Sequence, residues 1–151
     1  MQALGHWSLV LNTRNSVDCA YIDVSKAFDS VVHSKLCVKL ALFGIVGNLL
    51  KWISSFLHDR TRCTKVGNCQ SSLSKVISGV PQGSVLGSLL FRLFINNLPS
   101  LFGDGMTVKM FADDMYLVVN DINNSSVLEC GLCALFDWSL KWQLSVSAKN
   151  V

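Results

Sequence analysis

Alternating and clustered hydrophobic positions predict β-strands in several parts of the chain. Residues 17–23, 106–112 and 115–119 are short segments rich in the β-branched, aromatic and large apolar side chains that pack well on a pleated sheet. Residues 61–66 and 73–77 flank a Gly-Asn pair at Gly67. We expect these two segments to form a hairpin around that pair, because glycine and asparagine accept the backbone angles of tight turns.

Apolar residues at helical spacing predict helices around those strands. They cover about residues 3–13, 34–43 and 48–58, a segment that starts near Ser84, and a final helix. The final helix is expected to begin at Ser126, because a serine followed three residues later by Glu129 forms a capping box. This order of elements predicts an α+β fold, in which a small antiparallel sheet is backed by helices.

The composition favours one compact intracellular domain. Of the 151 residues, 50% are hydrophobic and 15% are charged, whereas disordered chains are poor in apolar residues and rich in charge. The apolar segment 76–91 is interrupted by Gly79 and Pro81, so it does not predict a membrane span. The first six residues lack the layout of a signal peptide. We therefore expect a protein of the nucleus or cytoplasm that is neither secreted nor attached to a membrane. Its oligomeric state is not indicated.

Six cysteines raise the question of disulfides or a zinc site. Disulfides are not expected in an intracellular protein. Cys130 and Cys133 have zinc-like spacing, but the chain has no second pair of this kind and the two fall inside a predicted helix. We therefore expect them to be buried as small hydrophobic side chains rather than to bind metal.

Carboxylates lie at the ends of two predicted strands. Asp23 ends the first strand, and Asp113-Asp114 joins the two later ones. An Asp-Asp pair is more often a solvated turn than a metal site. Adjacent strands lie about 4.8 Å apart, however, so the three carboxylates converge if their strands pair. Clustered carboxylates repel one another unless cations hold them, and such oxygen ligands suit Mg²⁺.

Three segments together resemble the reverse transcriptases of LINE-type (non-LTR) retrotransposons. Residues 21–31 (YIDVSKAFDSV) resemble motif A of that family, residues 78–91 (SGVPQGSVLGSLLF) resemble motif B, and residues 111–114 (FADD) resemble motif C. The order along the chain is also that of the family. Three motifs in order are far more specific than any of them alone.

The resemblance implies a site with two metal ions. Asp23, Asp113 and Asp114 match the catalytic acids that hold two Mg²⁺ ions, for which Mn²⁺ is an alternative. The backbone carbonyl of Val24 is a further implied ligand. The implied reaction is transfer of a deoxynucleotide to the 3′-hydroxyl of a DNA primer on an RNA template.

The resemblance also implies nucleotide-binding residues and a domain organisation. Phe28 matches the aromatic steric gate that excludes a ribose 2′-hydroxyl, although by itself it would be a core aromatic residue. Gln82 and Gly83 match residues that line the nucleotide and template pocket. Residues 1–151 correspond to the palm of a right-hand polymerase with part of the fingers, without the N-terminal fingers motifs, the primer grip and the thumb. An isolated chain of this extent is expected to be inactive.

Basic residues outnumber the single acid, Asp59, between residues 51 and 75, in a chain of net charge +3. Arg60, Arg62 and Lys65 are candidates for phosphate contacts with the template and primer, and a solvated hairpin is the alternative. His33 is expected to have a packing or capping role. Arg92 falls within an apolar helix, where an unpaired buried charge would be costly.

Two alternatives to an active polymerase remain open. One is a catalytically inactive retrotransposon remnant that at most binds nucleic acid, which the expected truncation and the position of Arg92 both favour. The other is a metal-dependent nuclease that uses the same carboxylates, in which the Pro-Gln-Gly segment would have no obvious role. Template and insertion-site specificity, and a proton donor in motif D, cannot be assigned from the sequence.

Overall fold

A computed structural model describes residues 18–103, 105–111, 114–119 and 125–149. The chain divides into two compact units. The first contains the N-terminal residues through Ser25 together with everything from Asn96 onward, and the second comprises Lys26–Ile95. The predicted helix over residues 3–13 and one of the predicted carboxylates, Asp113, lie outside the described residues.

The first unit is built on a four-stranded antiparallel sheet. Its strands are β1 (Asp18–Val24), β6 (Met106–Phe111), β7 (Asp114–Val119) and β8 (Val146–Lys149), and their order across the sheet is β6-β7-β1-β8. A 3₁₀ turn (Pro99–Leu101) and one long helix, α5 (Ser125–Trp142), accompany the sheet. The strands predicted at 17–23, 106–112 and 115–119 are confirmed within a residue or two.

Alternation at the end of β1 and in the first part of β7 separates a buried face of the sheet from a more open one, whereas Val118 and Val119 are both buried. Ile22, Val24, Met115 and Leu117 are almost completely buried. Successive side chains of a strand point to opposite faces, so the residues between them, including Asp23, belong to the other face and are only half-buried. Leu135 and Trp138 of α5 are also buried, and α5 packs against β7. The sheet is therefore covered on its apolar face.

The second unit is mostly helical. It contains α1 (Ala27–Ser30), α2 (His33–Leu42), α3 (Gly47–Leu57) and α4 (Val85–Ile95). Helix α2 packs against both α3 and α4. The buried side chains at these contacts are Leu36, Leu40, Ile53, Leu57, Leu90, Phe91 and Phe94. The helices predicted at 34–43, at 48–58 and from Ser84 are confirmed.

Four two-residue strands form the exposed hairpin between α3 and α4. Strand β2 (Thr61–Arg62) pairs with β5 (Ser74–Lys75), and β3 (Lys65–Val66) pairs with β4 (Cys69–Gln70). The turn falls at Gly67, whose φ is +57°, as the Gly-Asn pair predicts. The strands are shorter than expected, because every residue in them is exposed and no apolar face extends the pairing.

Three expectations about individual residues are wrong. Arg92 is exposed on α4, so it carries no cost of burial. Cys130 and Cys133 are exposed on α5 rather than buried, and all six cysteines are free thiols. Helix α5 begins at Ser125, so Ser126 is already helical and is not the residue that precedes the helix. The first two errors share a cause, since spacing along a helix does not fix which face meets the core.

Among the described residues, no helix has the length and hydropathy that crossing a membrane would require.

Candidate functional site

Asp23 and Asp114 are direct partners in neighbouring antiparallel strands. They form one end of the β1–β7 ladder, in which Tyr21 is likewise opposite Tyr116. Directly opposed residues in such a ladder have Cβ atoms roughly 4.5–5.5 Å apart. Both carboxylates therefore lie on the open face of the sheet, and both are half-buried. The predicted convergence of strand-end carboxylates is confirmed for these two residues.

Tyr21 contributes a hydrogen bond that the sequence did not predict. Its hydroxyl donates to Oδ1 of Asp114, and its ring lies 5.0 Å from that of Tyr116. This hydrogen bond, followed by burial and the negative charges of Asp114 and Asp23, raises the pKa of Tyr21 to about 12. Tyr21 is two residues before Asp23, and that spacing, which places both on one face of a strand, was the signal available in the sequence.

The opposed carboxylates fit a divalent cation. Like charges directly across a strand pair are destabilising, and a cation bound between them relieves that repulsion. Carboxylate oxygens are ligands that Mg²⁺ prefers. Within the described parts of the chain, which exclude Asp113, no three His, Cys, Asp or Glu side chains cluster. Val24 follows Asp23 directly, with its side chain buried on the opposite face.

In the second unit, Phe28 is half-buried against one aromatic neighbour. It lies in the single-turn helix α1, which follows Lys26, a residue with a φ of +50°. The Phe28 ring packs on Phe91 of α4, with centroids 4.7 Å apart. The ring is thus held from one side while part of it stays accessible. This geometry suits either an aromatic gate or a peripheral core residue.

The segment before α4 is exposed and turns sharply. Gln82 and Gly83 are exposed, and Gly83 has a φ of +83° with open space where a side chain would be. At Gly87, by contrast, an added Cβ would lie 2.1 Å from the carbonyl oxygen of Pro81. The backbone of Pro81 therefore rests directly on α4, and the following two residues extend away from it.

A basic groove of about 380 Å³ lies beside this segment. Its lining includes four basic side chains, those of Lys26, Arg60, Arg62 and Lys75, and one acidic side chain, that of Asp29. Gln82 lines the same groove. Excess positive charge around a concave surface attracts phosphates. The sequence indicated Arg60 and Arg62 but missed Lys26 and Lys75, which the fold brings to the groove from different segments.

The three basic residues predicted to contact phosphate differ in their surroundings. Arg62 and Lys65 are exposed on the hairpin. Arg60 is half-buried, and its guanidinium donates to the carbonyls of Leu57 and Gly79 at 2.9 and 2.6 Å. His33 is buried, as a packing role requires, and its Nε2 donates to the same Gly79 carbonyl at 2.8 Å.

The sequence and the fold are similar to those of known polymerases. A family described as reverse transcriptase (RNA-dependent DNA polymerase) matches residues 8–150. The chain is 28% identical over 147 residues to the RNA-directed DNA polymerase from mobile element jockey of Drosophila funebris, covering 91% of this chain and 16% of that protein. It is 32% identical over 149 residues to the retrovirus-related Pol polyprotein from type-1 retrotransposable element R2 of Popillia japonica, covering 91% of this chain and 20% of that protein.

Among solved structures, the chain resembles telomerase from Candida albicans in complex with a fragment of telomeric RNA. The TM-score is 0.65 at 15% identity, and the match covers 95% of this chain and 29% of that one. This likeness supports the mixed helix and sheet fold. The predicted resemblance to LINE-type reverse transcriptases is confirmed by the retrotransposon relatives. The chain belongs to the reverse transcriptase family.

Proposed function

We propose that this chain is the palm, with part of the fingers, of an RNA-directed DNA polymerase that adds deoxynucleotides to a DNA primer on an RNA template. The observation that carries the proposal is the direct opposition of Asp23 and Asp114 on the open face of the sheet. Residues 1–151 form one reverse transcriptase domain in this proposal. The chain spans 16% of the length of the jockey relative.

Asp23 and Asp114, together with Asp113, hold two Mg²⁺ ions in this account, and Mn²⁺ is an alternative. Bound there, the cations supply activation of the primer 3′-hydroxyl and neutralisation of charge on the triphosphate. The protein contributes oxygen ligands fixed by strand pairing, so that little reorganisation is needed when the cations bind. The Val24 carbonyl is a further candidate ligand. Tyr21 holds Asp114 in place by its hydrogen bond.

Phe28 selects deoxynucleotides by excluding the 2′-hydroxyl. Its packing on Phe91 restrains the ring, and a restrained ring resists displacement by a larger sugar. Gln82 offers amide donors and an acceptor from an exposed position, and Gly83 lets a nucleotide approach the backbone closely. Selectivity thus arises from steric exclusion combined with hydrogen bonding.

The basic groove binds phosphates of the template and primer or of the incoming nucleotide. Arg62 and Lys75 face it from the hairpin, and Lys26 faces it from the start of α1. Lys65 extends the basic surface on the same hairpin. Contacts of this kind fix the register of a nucleic acid without reading its sequence. We expect affinity for an RNA–DNA duplex to fall as salt rises.

A remnant that only binds nucleic acid is the competing function. One of its two supports was the expected burial of Arg92, and that residue is exposed. The opposed carboxylates and the open Gln82-Gly83 segment are features that an inactive binding module has no need to retain. The polymerase is therefore the function that the site supports better.

The test places residues 8–150 of this chain in the corresponding segment of the jockey polymerase and measures RNA-templated primer extension. We expect extension that disappears in Asp23→Asn and Asp114→Asn, while Asp137→Asn, an exposed substitution on α5, leaves it unchanged. A chimera that unfolds cooperatively and binds the RNA–DNA duplex but extends no primer would instead identify a remnant.

A further inference from the structure

Arg60 connects the end of α3 to the segment that precedes α4. Its Nε donates to the carbonyl of Leu57, the last residue of α3, at 2.9 Å, and its Nη2 donates to the carbonyl of Gly79 at 2.6 Å. The planar guanidinium presents donors in a fixed fork, so one side chain can satisfy two carbonyls at a defined angle. The half-buried position of Arg60 keeps this geometry partly shielded from water.

His33 supplies a second donor to the same carbonyl. It is 5% exposed, and its Nε2 donates to Gly79 O at 2.8 Å while lying 3.4 Å from Arg60 Nη2. A carbonyl oxygen has two lone pairs, and here both are engaged by side chains from outside motif B. We call this set, the side chains of Arg60 and His33 with the carbonyl of Gly79, the Gly79 anchor.

The other side of the Gly79 segment is bonded to α1. The amide of Gly79 donates to Val31 O at 2.8 Å, and the amide of Val80 donates to Phe28 O at 2.7 Å. Gly79 has a φ of +88°, and an added Cβ would lie 2.7 Å from the Cα of Asp29. The segment is therefore pressed against the backbone that carries Phe28, with no space between them for a side chain.

We propose that the Gly79 anchor positions the Phe28 ring and the Gln82-Gly83 segment, so that Arg60 and His33 act as positioning residues for nucleotide selection. The inference rests on the proposed function. Displacement of Gly79 would lengthen the Val80–Phe28 hydrogen bond and shift α1, and it would also move the two residues that follow Pro81. Neither anchor side chain needs to touch a nucleotide for this effect.

Substitution of Arg60 by lysine separates positioning from phosphate binding. Lysine keeps the positive charge that a phosphate requires but lacks the fork that reaches two carbonyls. Arg92→Lys is the matched control, because Arg92 is exposed on α4 and has no role in the proposed site. His33→Phe removes the second donor and keeps a ring in the buried position.

The experiment has two measurements. The first is the rate of hydrogen exchange at the Gly79 and Val80 amides of the 151-residue chain. The amides of β1 and β7 serve as an internal reference for global stability. The second is the preference for deoxynucleotides over ribonucleotides in primer extension by the chimera with the jockey polymerase. We expect Arg60→Lys and His33→Phe to accelerate exchange at Gly79 and Val80 by about tenfold, the loss of one ordinary hydrogen bond, and to reduce the deoxynucleotide preference by a similar factor. Arg92→Lys should change neither.

Any other result contradicts either this inference or the proposed function. Unchanged exchange at Gly79 and Val80 in Arg60→Lys would overturn the inference, and so would faster exchange with an unchanged nucleotide preference, since the anchor would then be structural only. An equal loss of preference in Arg92→Lys would show that the effect does not depend on the anchor and would also overturn the inference. Absence of extension in the chimera with Arg60 intact is instead a failure of the proposed function, and it is seen before any variant is compared.

Discussion

Asp23 and Asp114 are paired across β1 and β7, and the hydroxyl of Tyr21 donates to Asp114 from the same face of the sheet. Two carboxylates thus lie side by side on that face, and the Tyr21 hydroxyl donates to one of them. The pKa of Tyr21 therefore depends on Asp114, because the hydrogen bond and the neighbouring charges both favour the neutral phenol.

We expect the phenol of Tyr21 to titrate at a pKa of about 12 in metal-free buffer, compared with 10.0 for an ordinary tyrosine. Asp114→Asn should lower this pKa towards the ordinary value. The folded pKa lies above the unfolded one, so this interaction stabilises the fold fully below pH 10 and is lost as pH rises through about 12. Ultraviolet titration in a Tyr116→Phe background isolates the single remaining phenol. A pKa unaffected by Asp114→Asn would contradict the hydrogen bond.

His33 should make the fold sensitive to acid. Burial is the main cause that lowers its pKa below 6.5, and the charges of His58 and Arg60 act in the same direction against the Gly79 hydrogen bond. The folded state therefore favours the neutral ring. Its contribution is present above pH 6.5 and is lost as pH falls through the lowered folded pKa. Denaturant unfolding at neutral and acidic pH should show a smaller loss of stability in His33→Gln than in the unsubstituted chain. An equal loss in both would exclude His33 as the source.

Lys39 is a buried lysine whose removal should destabilise the fold. It is 3% exposed, donates to the carbonyl of Phe94 near the end of α4, and lies 4.6 Å from the centroid of the Phe94 ring. Lys39→Met keeps the side-chain length but leaves that carbonyl without this donor, which should lower the free energy of unfolding by about 1–3 kcal/mol. Lys51→Met, exposed on α3, should change it by less than about 0.5 kcal/mol. Equal effects of the two substitutions would mean that the Phe94 contact contributes nothing.

Phe28→Val should increase use of ribonucleotides in the jockey chimera. The smaller side chain opens space that the ring fills against Phe91, and pocket changes of about this size alter discrimination on the order of tenfold or more. Phe28→Tyr keeps the ring and serves as the matched control. If discrimination is the same in Phe28→Val as in the unsubstituted chimera, another residue forms the gate.

Local periodicity was sufficient to predict three of the four strands of the central sheet, because buried residues alternate with half-buried ones in β1 from Ile22 to Val24 and in β7 from Asp114 to Leu117, whereas β8 was not predicted. The two-residue spacing of Tyr21 and Asp23 puts both on one face of the strand. The register that brings Tyr21 to Asp114 is a property of strand pairing, and spacing along one strand does not contain it. The buried Lys39 was missed for a similar reason, since its partner is the backbone carbonyl of Phe94, and every residue type carries a carbonyl.

The three motifs indicated the residues of the candidate site, but they did not indicate the residues that hold those residues in position. Asp23, Phe28 and Gln82 were indicated by short patterns. Arg60 and His33 lie outside those patterns, and their common partner is the carbonyl of Gly79. A contact between a side chain and a distant backbone atom produces no recognisable sequence pattern, because any residue type can supply the backbone atom. The predicted burial of Arg92 failed because an apolar helix can keep one polar face in solvent.

The most direct test of the central claim is Mn²⁺ binding to the 151-residue chain, measured by electron paramagnetic resonance. We expect binding that weakens by at least about tenfold in Asp23→Asn and in Asp114→Asn, since loss of even an outer partner of a metal site commonly costs that much. Asp137→Asn, exposed on α5, should bind as the unsubstituted chain does. Mn²⁺ binding that is unchanged by Asp23→Asn, or reduced equally by Asp137→Asn, would contradict a metal site between the two strands.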